Sequence, residues 1–307
     1  MNSIGITKKK KNITSIKRNA GDQVAQIFIY FIITAFSLAT ILPFLYIIAG
    51  SLATERELTE RAFFIIPKEI SVNAYRYIGK AGDIFKGLKN SILVTVVGTF
   101  LDMAFTTTFA YPLSRSDFKR RNGILNMVIV TMVFSGGMIP SYLLVSNLGL
   151  IGSYGALILP GVISAFNMII VKNYFQGIPK ELEEAAKMDG CTDLGIFAKI
   201  ILPLSKPVLA SVSLFYAVGH WNEYFNAMLY ISSPEKEVVQ IVLRRIVLLA
   251  NGIDANGQAI DYGMLGAPPE KAVKMAATVV ATIPILIVYP FIQKFFTQGV
   301  MIGAVKG

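Results

Sequence analysis

Long stretches without any charged side chain constrain this sequence more than any other feature. Residues 23–54, 122–171 and 275–293 contain none, and residues 91–113 are interrupted only by Asp102. A helix needs about 20 mostly apolar residues to cross the hydrocarbon core of a bilayer, and lipid offers no water to unpaired backbone groups. The chain is therefore predicted to be an all-α membrane protein.

The composition agrees with this prediction. Of the 307 residues, 54% are hydrophobic and only 16% are charged, whereas a soluble domain carries about 25% charged residues. The net charge of +10 could indicate nucleic-acid binding. However, the basic residues lie beside the apolar stretches and are not interleaved with aromatic residues, so they are interpreted as topology signals and no nucleic-acid partner is expected.

Loop charges predict the orientation. The basic residues among 1–22 place this segment in the cytoplasm, and the basic cluster at 115–121 follows a span that returns there. The first apolar stretch is longer than the core of about 7 to 15 residues in a cleaved signal peptide, so it is expected to be retained. Residues 122–171 suffice for two spans with an outside turn at 146–154. Six spans with both termini inside are predicted, at about 24–50, 91–113, 124–145, 156–172, 207–231 and 275–293.

The longest predicted inside loop, 173–206, has its own helix signals. Pro179 suits the first position of a helix, and three glutamates follow near the positive end of its dipole. Gly190 favours a helix end after roughly three turns. Thr192 or Asp193 can cap a second, amphipathic helix that Pro203 and Pro207 interrupt. The loop is predicted to be a helix, a sharp turn and another helix.

The loop contains a long, ordered string of small, acidic, apolar and proline residues. Its members are Glu184, Ala185, Ala186, Asp189, Gly190, Phe197, Ile200, Pro203 and Pro207. An Ala- and Glu-rich helix produces the first three letters easily, but the whole spaced string resembles the EAA loop of bacterial ABC importer permeases. Cys191 stands where that family usually has Ala.

The resemblance implies a type I ABC importer permease fold, with residues 23–298 as the permease domain. The loop would be the coupling helix that docks on a separate ATPase, which binds the ATP and Mg. Glu184 would be the polar anchor, the small residues would permit close approach, and Phe197 would hold the second helix against the spans. The chain itself would bind no cofactor.

The C-terminal tail, 299–307, would by itself be interpreted as a frayed end. It is also similar to the tail of maltose-type carbohydrate importer permeases, which contacts the ATPases; Gly303, Ala304 and Lys306 would make that contact. Together with the sixth span, this extends the resemblance over essentially the whole chain. It implies a multi-pass protein of the bacterial cytoplasmic membrane that works with a second permease, an ATPase dimer and an extracytoplasmic sugar-binding lipoprotein.

Polar residues inside the predicted spans are candidates for a substrate pathway or gate. Asp102 lies near the middle of its span, where a carboxylate must face protein or water; it could equally serve helix packing through Thr106 or another subunit. Trp221, Asn222, Glu223 and Tyr224 combine aromatic faces with hydrogen-bonding groups, as sugar recognition requires. They also resemble the W-N-E/D stretch of sugar-importer permeases, where a gate or packing role is equally consistent.

Several activities are disfavoured. The sequence has no G-x-x-x-x-G-K-[ST] phosphate-binding loop, so ATP hydrolysis is assigned to a partner. One cysteine and one histidine give neither an internal disulfide nor a metal cluster, and no catalytic residues are predicted. The alternatives kept are an ABC permease for a non-sugar solute, a non-transporting membrane scaffold, and a secondary transporter using Asp102, Glu223 or His220. The secondary transporter would require inverted repeats, which the sequence does not show.

Overall fold

The computed structural model describes residues 20–250 and 271–304, which contain helices and turns and no strand. The chain divides into two compact units, residues 1–46 and residues 47–307. Helix α1 (Ala20–Ser51) begins in the first unit. It contains the whole of the predicted first span.

The first half of the second unit is organised around one long helix. Two short helices, α2 (Glu55–Glu60) and α3 (Asn73–Ala81), lead into α4 (Asp83–Ser114). Shorter helices follow it: α5 (Arg121–Val133), α6 (Met138–Asn147), α7 (Gly155–Ile158), a 3-10 turn (Leu159–Gly161) and α8 (Ala165–Gln176).

The second half begins with the loop that has the EAA-like string and ends with another long helix. Its elements are α9 (Glu181–Met188), α10 (Asp193–Ile196), a π-helical turn (Phe197–Ile201), α11 (Leu202–Leu204), α12 (Lys206–Trp221), α13 (Phe225–Tyr230), a 3-10 turn (Pro234–Lys236), α14 (Val239–Ala250) and α15 (Lys271–Ala304).

Three single helices are long and apolar enough to cross a membrane, within Gln23–Ser51, Asp83–Ser114 and Lys271–Pro290. Three further candidates are bent pairs. The pair α5 and α6 is bent by 116°, the pair Gly155–Gly161 and α8 by 52°, and the pair Asp193–Leu204 and α12 by 82°. The bend between α5 and α6 lies beside Gly136 and Gly137, and Gly137 has a φ of +85°. By length and composition the described residues thus offer three to six spans.

The predicted fifth span, 207–231, differs from the structure. Helix α12 ends at Trp221, residues 222–224 interrupt it, and α13 begins at Phe225. Helix α15 also extends beyond the predicted end of the sixth span, to Ala304.

Helix α4 lies at the centre of the packing, in contact with α8, α12 and α14. Near its first turns, a Cβ on Gly87 would lie 3.1 Å from the Val239 Cα, so the glycine lets α14 approach closely. Near its last turns, Ala110 and Leu113 join a buried cluster with Phe175, Phe197 and Val212. The core thus ties α4 to the EAA-like loop and to the helices on either side of that loop.

Candidate functional site

The first helix of the EAA-like loop begins and ends close to where the sequence predicts. Helix α9 carries Glu181, Glu183 and Glu184 in its first turn, where the helix dipole favours negative charge. Gly190, just beyond its end, has a φ of +80°. This left-handed conformation suits glycine and turns the chain sharply.

The second helix starts on a side-chain cap. The Thr192 hydroxyl accepts a hydrogen bond from the Gly195 N–H at 3.2 Å, so of the two predicted cap residues the structure uses Thr192. The helix then widens, and the Leu202 N–H donates to the Phe197 carbonyl, five residues back. Pro203 cannot donate a backbone hydrogen bond. The sequence signals did not predict this π-helical turn.

Burial divides the motif residues into an outer and an inner group. Glu184, Ala185, Asp189, Gly190 and Pro203 are exposed, while Ile200 and Pro207 are half-buried. Ala186 and Phe197 are buried in the cluster around α4 and α8. The Phe197 ring centroid lies 5.0 Å from that of Tyr111. Phe197 therefore fixes the loop to the helices, and Glu184 lies on the outward surface.

One buried charged pair of the loop was missed by sequence reasoning. Glu183, beside Glu184, is only 9% exposed and forms an ion pair with Arg115, the residue that follows α4. Burial raises the pKa of Glu183, and the Arg115 charge opposes that effect. The available signal is Arg115 itself, a basic residue directly after a span, which by charge alone indicates only topology.

A second candidate site is a cavity of about 380 Å³ beside α4 and α12. Asp102 is 1% exposed, and its Oδ2 lies 2.7 Å from the His220 Nε2. The His220 ring packs over Gly98, where an added Cβ would lie 2.5 Å from Nε2. Asp102 Oδ1 has no hydrogen-bond partner in the described part of the chain. An unpaired carboxylate oxygen beside a cavity can accept a hydrogen bond from a hydroxyl group.

Asp102 does not accept a hydrogen bond from the Thr106 hydroxyl, the packing contact that the sequence allows. Thr106 instead pairs with the Tyr216 hydroxyl at 2.7 Å, and that hydroxyl also accepts from the Ser164 N–H at 3.0 Å. The Tyr216 hydroxyl thus joins α12 both to α4, through Thr106, and to the start of α8, through Ser164. Asp102 therefore has a packing partner, His220, which lies 118 residues away in sequence.

The four residues after His220 occupy different surroundings. Glu223 lines the cavity with Asp102 and accepts a hydrogen bond from the Asn226 N–H at 3.2 Å. The other three residues do not line the cavity. Trp221 is buried, Asn222 is exposed, and the Tyr224 ring centroid lies 5.5 Å from the Arg244 guanidinium carbon. The structure brings together Asp102 and Glu223 alone from the predicted set.

The predicted tail contacts fall at the limit of the described residues. Gly303 and Ala304 are the last two residues of α15. Lys306 lies outside the described residues.

The fold matches a solved transporter subunit. The chain aligns with a TM-score of 0.82 and 31% identity to a chain of a bacterial ABC transporter involved in the import of the acidic polysaccharide alginate, over 91% of this chain and 99% of that one. A chain of a bacterial alginate ABC transporter in complex with a pentasaccharide-bound periplasmic protein aligns at 15% identity and a TM-score of 0.51, which supports the fold alone. The fold is that of a type I ABC importer permease.

Sequence comparison gives the family. The chain belongs to the binding-protein-dependent transport system inner membrane component family, which matches residues 13–302. Protein LplC of Bacillus subtilis is 53% identical over 87% of this chain and 90% of its own length. The polygalacturonan/rhamnogalacturonan transport system permease protein YtcP of the same organism is 50% identical over 91% of this chain and 97% of its own length. The family makes this chain a multi-pass inner-membrane transport component, as the apolar stretches predicted.

Proposed function

We propose that this chain is the non-enzymatic permease subunit of an ATP-driven importer that moves an oligosaccharide across the cytoplasmic membrane. The observation that carries the proposal is the EAA-like loop, whose inner side is fixed to α4 and α8 through Phe197 and whose outer side presents Glu184. The names of YtcP and of the alginate transporter support a carbohydrate substrate. A non-sugar solute is the alternative within this class.

The chain works with separate partners in this proposal. A dimer of ATPase subunits binds ATP and Mg, and α9 docks in a cleft on one of them. A second, related permease completes the membrane pathway, and an extracytoplasmic sugar-binding lipoprotein delivers the substrate. Both termini and the loop at 173–206 face the cytoplasm, and Gly303, Ala304 and Lys306 contact the ATPases.

Transport follows from movement of the loop. Closure of the ATPase dimer on ATP displaces α9, and the packed cluster passes the displacement to α4, α8 and α12. These helices then change from an inward-open to an outward-open arrangement, and hydrolysis resets them. The cavity beside Asp102 and Glu223 lies along this pathway, where carboxylate oxygens can accept hydrogen bonds from sugar hydroxyls.

The test is assembly followed by activity. The chain is co-expressed with candidate partner subunits, a second permease and an ATPase of this transporter class, and ATP hydrolysis and sugar uptake are measured with a purified sugar-binding protein and pectin-derived oligosaccharides. We expect stimulation only in the assembled complex. Uptake by this chain alone, driven by an ion gradient, would overturn the proposal in favour of a secondary transporter using Asp102 and Glu223.

Two loop variants test the docking role. Glu184→Lys reverses the exposed charge, and Gly190→Pro imposes a φ near −65° where the chain has +80°. Both should lose stimulated ATP hydrolysis and uptake while still inserting in the membrane. Glu60→Lys, the same reversal at an exposed site in α2, should retain both activities. Wild-type coupling in both loop variants would contradict the docking role.

A further inference from the structure

A buried ion pair joins α9, the first helix of the EAA-like loop, to the end of α4. Arg115 follows the last residue of α4, and its N–H donates to the Pro112 carbonyl at 3.2 Å. Its side chain folds back over the preceding turn, where the guanidinium carbon lies 4.7 Å from the Tyr111 ring centroid. One guanidinium nitrogen, Nη1, pairs with Glu183 Oε1. The pair therefore connects two elements separated by 68 residues of sequence, from Arg115 to Glu183.

The surroundings make this pair different from the other charged contact of the loop. The side chains of Arg115 and Glu183 are 17% and 12% exposed. Those of Lys187 and Asp193, which lie 3.3 Å apart, are 54% and 77% exposed. Solvent screens an exposed pair, so Lys187 and Asp193 contribute little. Loss of one partner from a buried pair leaves an uncompensated charge.

Arg115 depends on Glu183 for this compensation. Its Nε and Nη2 have no hydrogen-bond partner within residues 20–250 and 271–304. A second polar contact joins the same two segments, because the Lys180 Nζ donates to the Ser116 Oγ. The two contacts hold the N-terminal turn of α9 against the turn that follows α4.

The Tyr111 ring, which packs on the Arg115 guanidinium, also contacts the second helix of the loop. Tyr111, under the guanidinium, also packs on the Phe197 ring, with 5.0 Å between centroids. Phe175, at the end of α8, completes a three-ring group, at 6.4 Å from Tyr111 and 6.5 Å from Phe197. Both helices of the loop thus meet α4 at this one place.

We propose that Arg115 and Glu183 form a rigid junction through which the coupling loop moves α4, so that both are positioning residues for transport. The inference rests on the proposed function and adds the contacts through which motion of the loop is passed to α4. The chain runs directly from α8 through the loop to α12. In contrast, α4, which carries Asp102, touches the loop only by non-covalent contacts. Glu184 would contact the ATPase, and Glu183, its neighbour in sequence, would pass the motion inward.

The first test compares neutralising variants in the assembled complex. Glu183→Gln and Arg115→Gln should lower the ratio of binding-protein-stimulated to basal ATP hydrolysis by about two- to thirtyfold, the range typical of substitutions within a coupled network. Asp193→Asn, in the exposed pair of the same loop, is the matched control and should keep the wild-type ratio. The charge swap Arg115→Glu with Glu183→Arg should regain part of it.

Assembly yield and thermal stability are measured alongside, because the ratio reports coupling and a purely structural role would alter only the yield or the stability. A wild-type ratio in both single variants overturns the junction. If the wild-type complex itself shows no stimulation, the proposed function fails instead, so the two failures are distinguishable.

A second test does not depend on removing the pair. Cys191 is the only cysteine, so Ser116→Cys with Lys180→Cys in a Cys191→Ala background gives one site for a short bismaleimide cross-link. A junction that moves as one body should retain uptake and the stimulated ratio after cross-linking. Loss of both on cross-linking, with retention in the uncross-linked double variant, would show that the segments must separate and would overturn the proposal.

Discussion

At the scale of residues, Asp102 and His220 form a polar contact, 2.7 Å long, that joins α4 to α12. Asp102 was conspicuous because a carboxylate within an apolar span must face protein or water. Its contact with His220 depends on how α12 packs on α4, which no local pattern encodes. Glu183 and Glu184 are equivalent in the sequence, and only the position of α4 makes one buried and the other exposed. Local chemistry therefore predicted candidates, and tertiary packing assigned them.

Gly98 gives a prediction at this scale. Gly98→Ala would place a Cβ 2.5 Å from the His220 Nε2, so the ring must shift from its position beside Asp102. Overpacking of this kind costs about 1–3 kcal/mol. We expect a lower midpoint of thermal unfolding for the assembled complex and reduced sugar uptake.

Gly123→Ala is the matched control, since a Cβ there meets nothing within 4 Å. Gly123 lies inside α5, where alanine favours the helix by about 1 kcal/mol. This variant should unfold at the wild-type temperature or above. An equal midpoint for Gly98→Ala and wild type would contradict the close packing of His220.

At the scale of elements, helix limits set by local chemistry were predictable. The end of α9 just before Gly190 follows from the left-handed conformation that glycine tolerates, and the start of α10 follows from its Thr192 cap. The interruption of the fifth span at residues 222–224 was not predicted, because the sequence there has neither proline nor glycine. The 82° bend before α12 was only partly signalled, by Pro203 and Pro207.

The Thr192 cap gives a prediction for the loop. Thr192→Ala removes the acceptor for the Gly195 N–H, and loss of such a cap costs about 1 kcal/mol. Amide hydrogen exchange at residues 195–197 should become faster, while exchange in α9 stays unchanged. Thr131→Ala, which alters a hydroxyl bonded only within its own helix, should leave the loop at its wild-type rate. Unchanged exchange at Gly195 would contradict the cap.

At the scale of the whole molecule, the apolar stretches were sufficient to predict an all-α membrane protein. The family match confirms that class, and the similarity to the alginate transporter chain confirms the type I permease fold. The spatial order of the helices was not predictable from this sequence. Span lengths do not specify that α4 lies between α8, α12 and α14, because that order depends on close-approach positions such as Gly87 and Gly98.

The predicted orientation can be checked by labelling. In a Cys191→Ala background, Glu60→Cys and Lys199→Cys place single thiols at exposed positions in α2 and in the coupling loop. With both termini inside, a membrane-impermeant maleimide should label position 60 on intact cells and position 199 only after permeabilisation. The reverse pattern would invert the predicted topology.

His220 packs on Gly98 close to the midpoint of α4. At about 1.5 Å per residue, Gly98 lies about 23 Å from the start of the helix at Asp83 and about 24 Å from its end at Ser114. If α4 tilts about this contact in the proposed transport cycle, its two ends would move by similar distances in opposite directions. Narrowing on one side of the membrane would then be matched by widening on the other, with neither gain nor loss of amplitude.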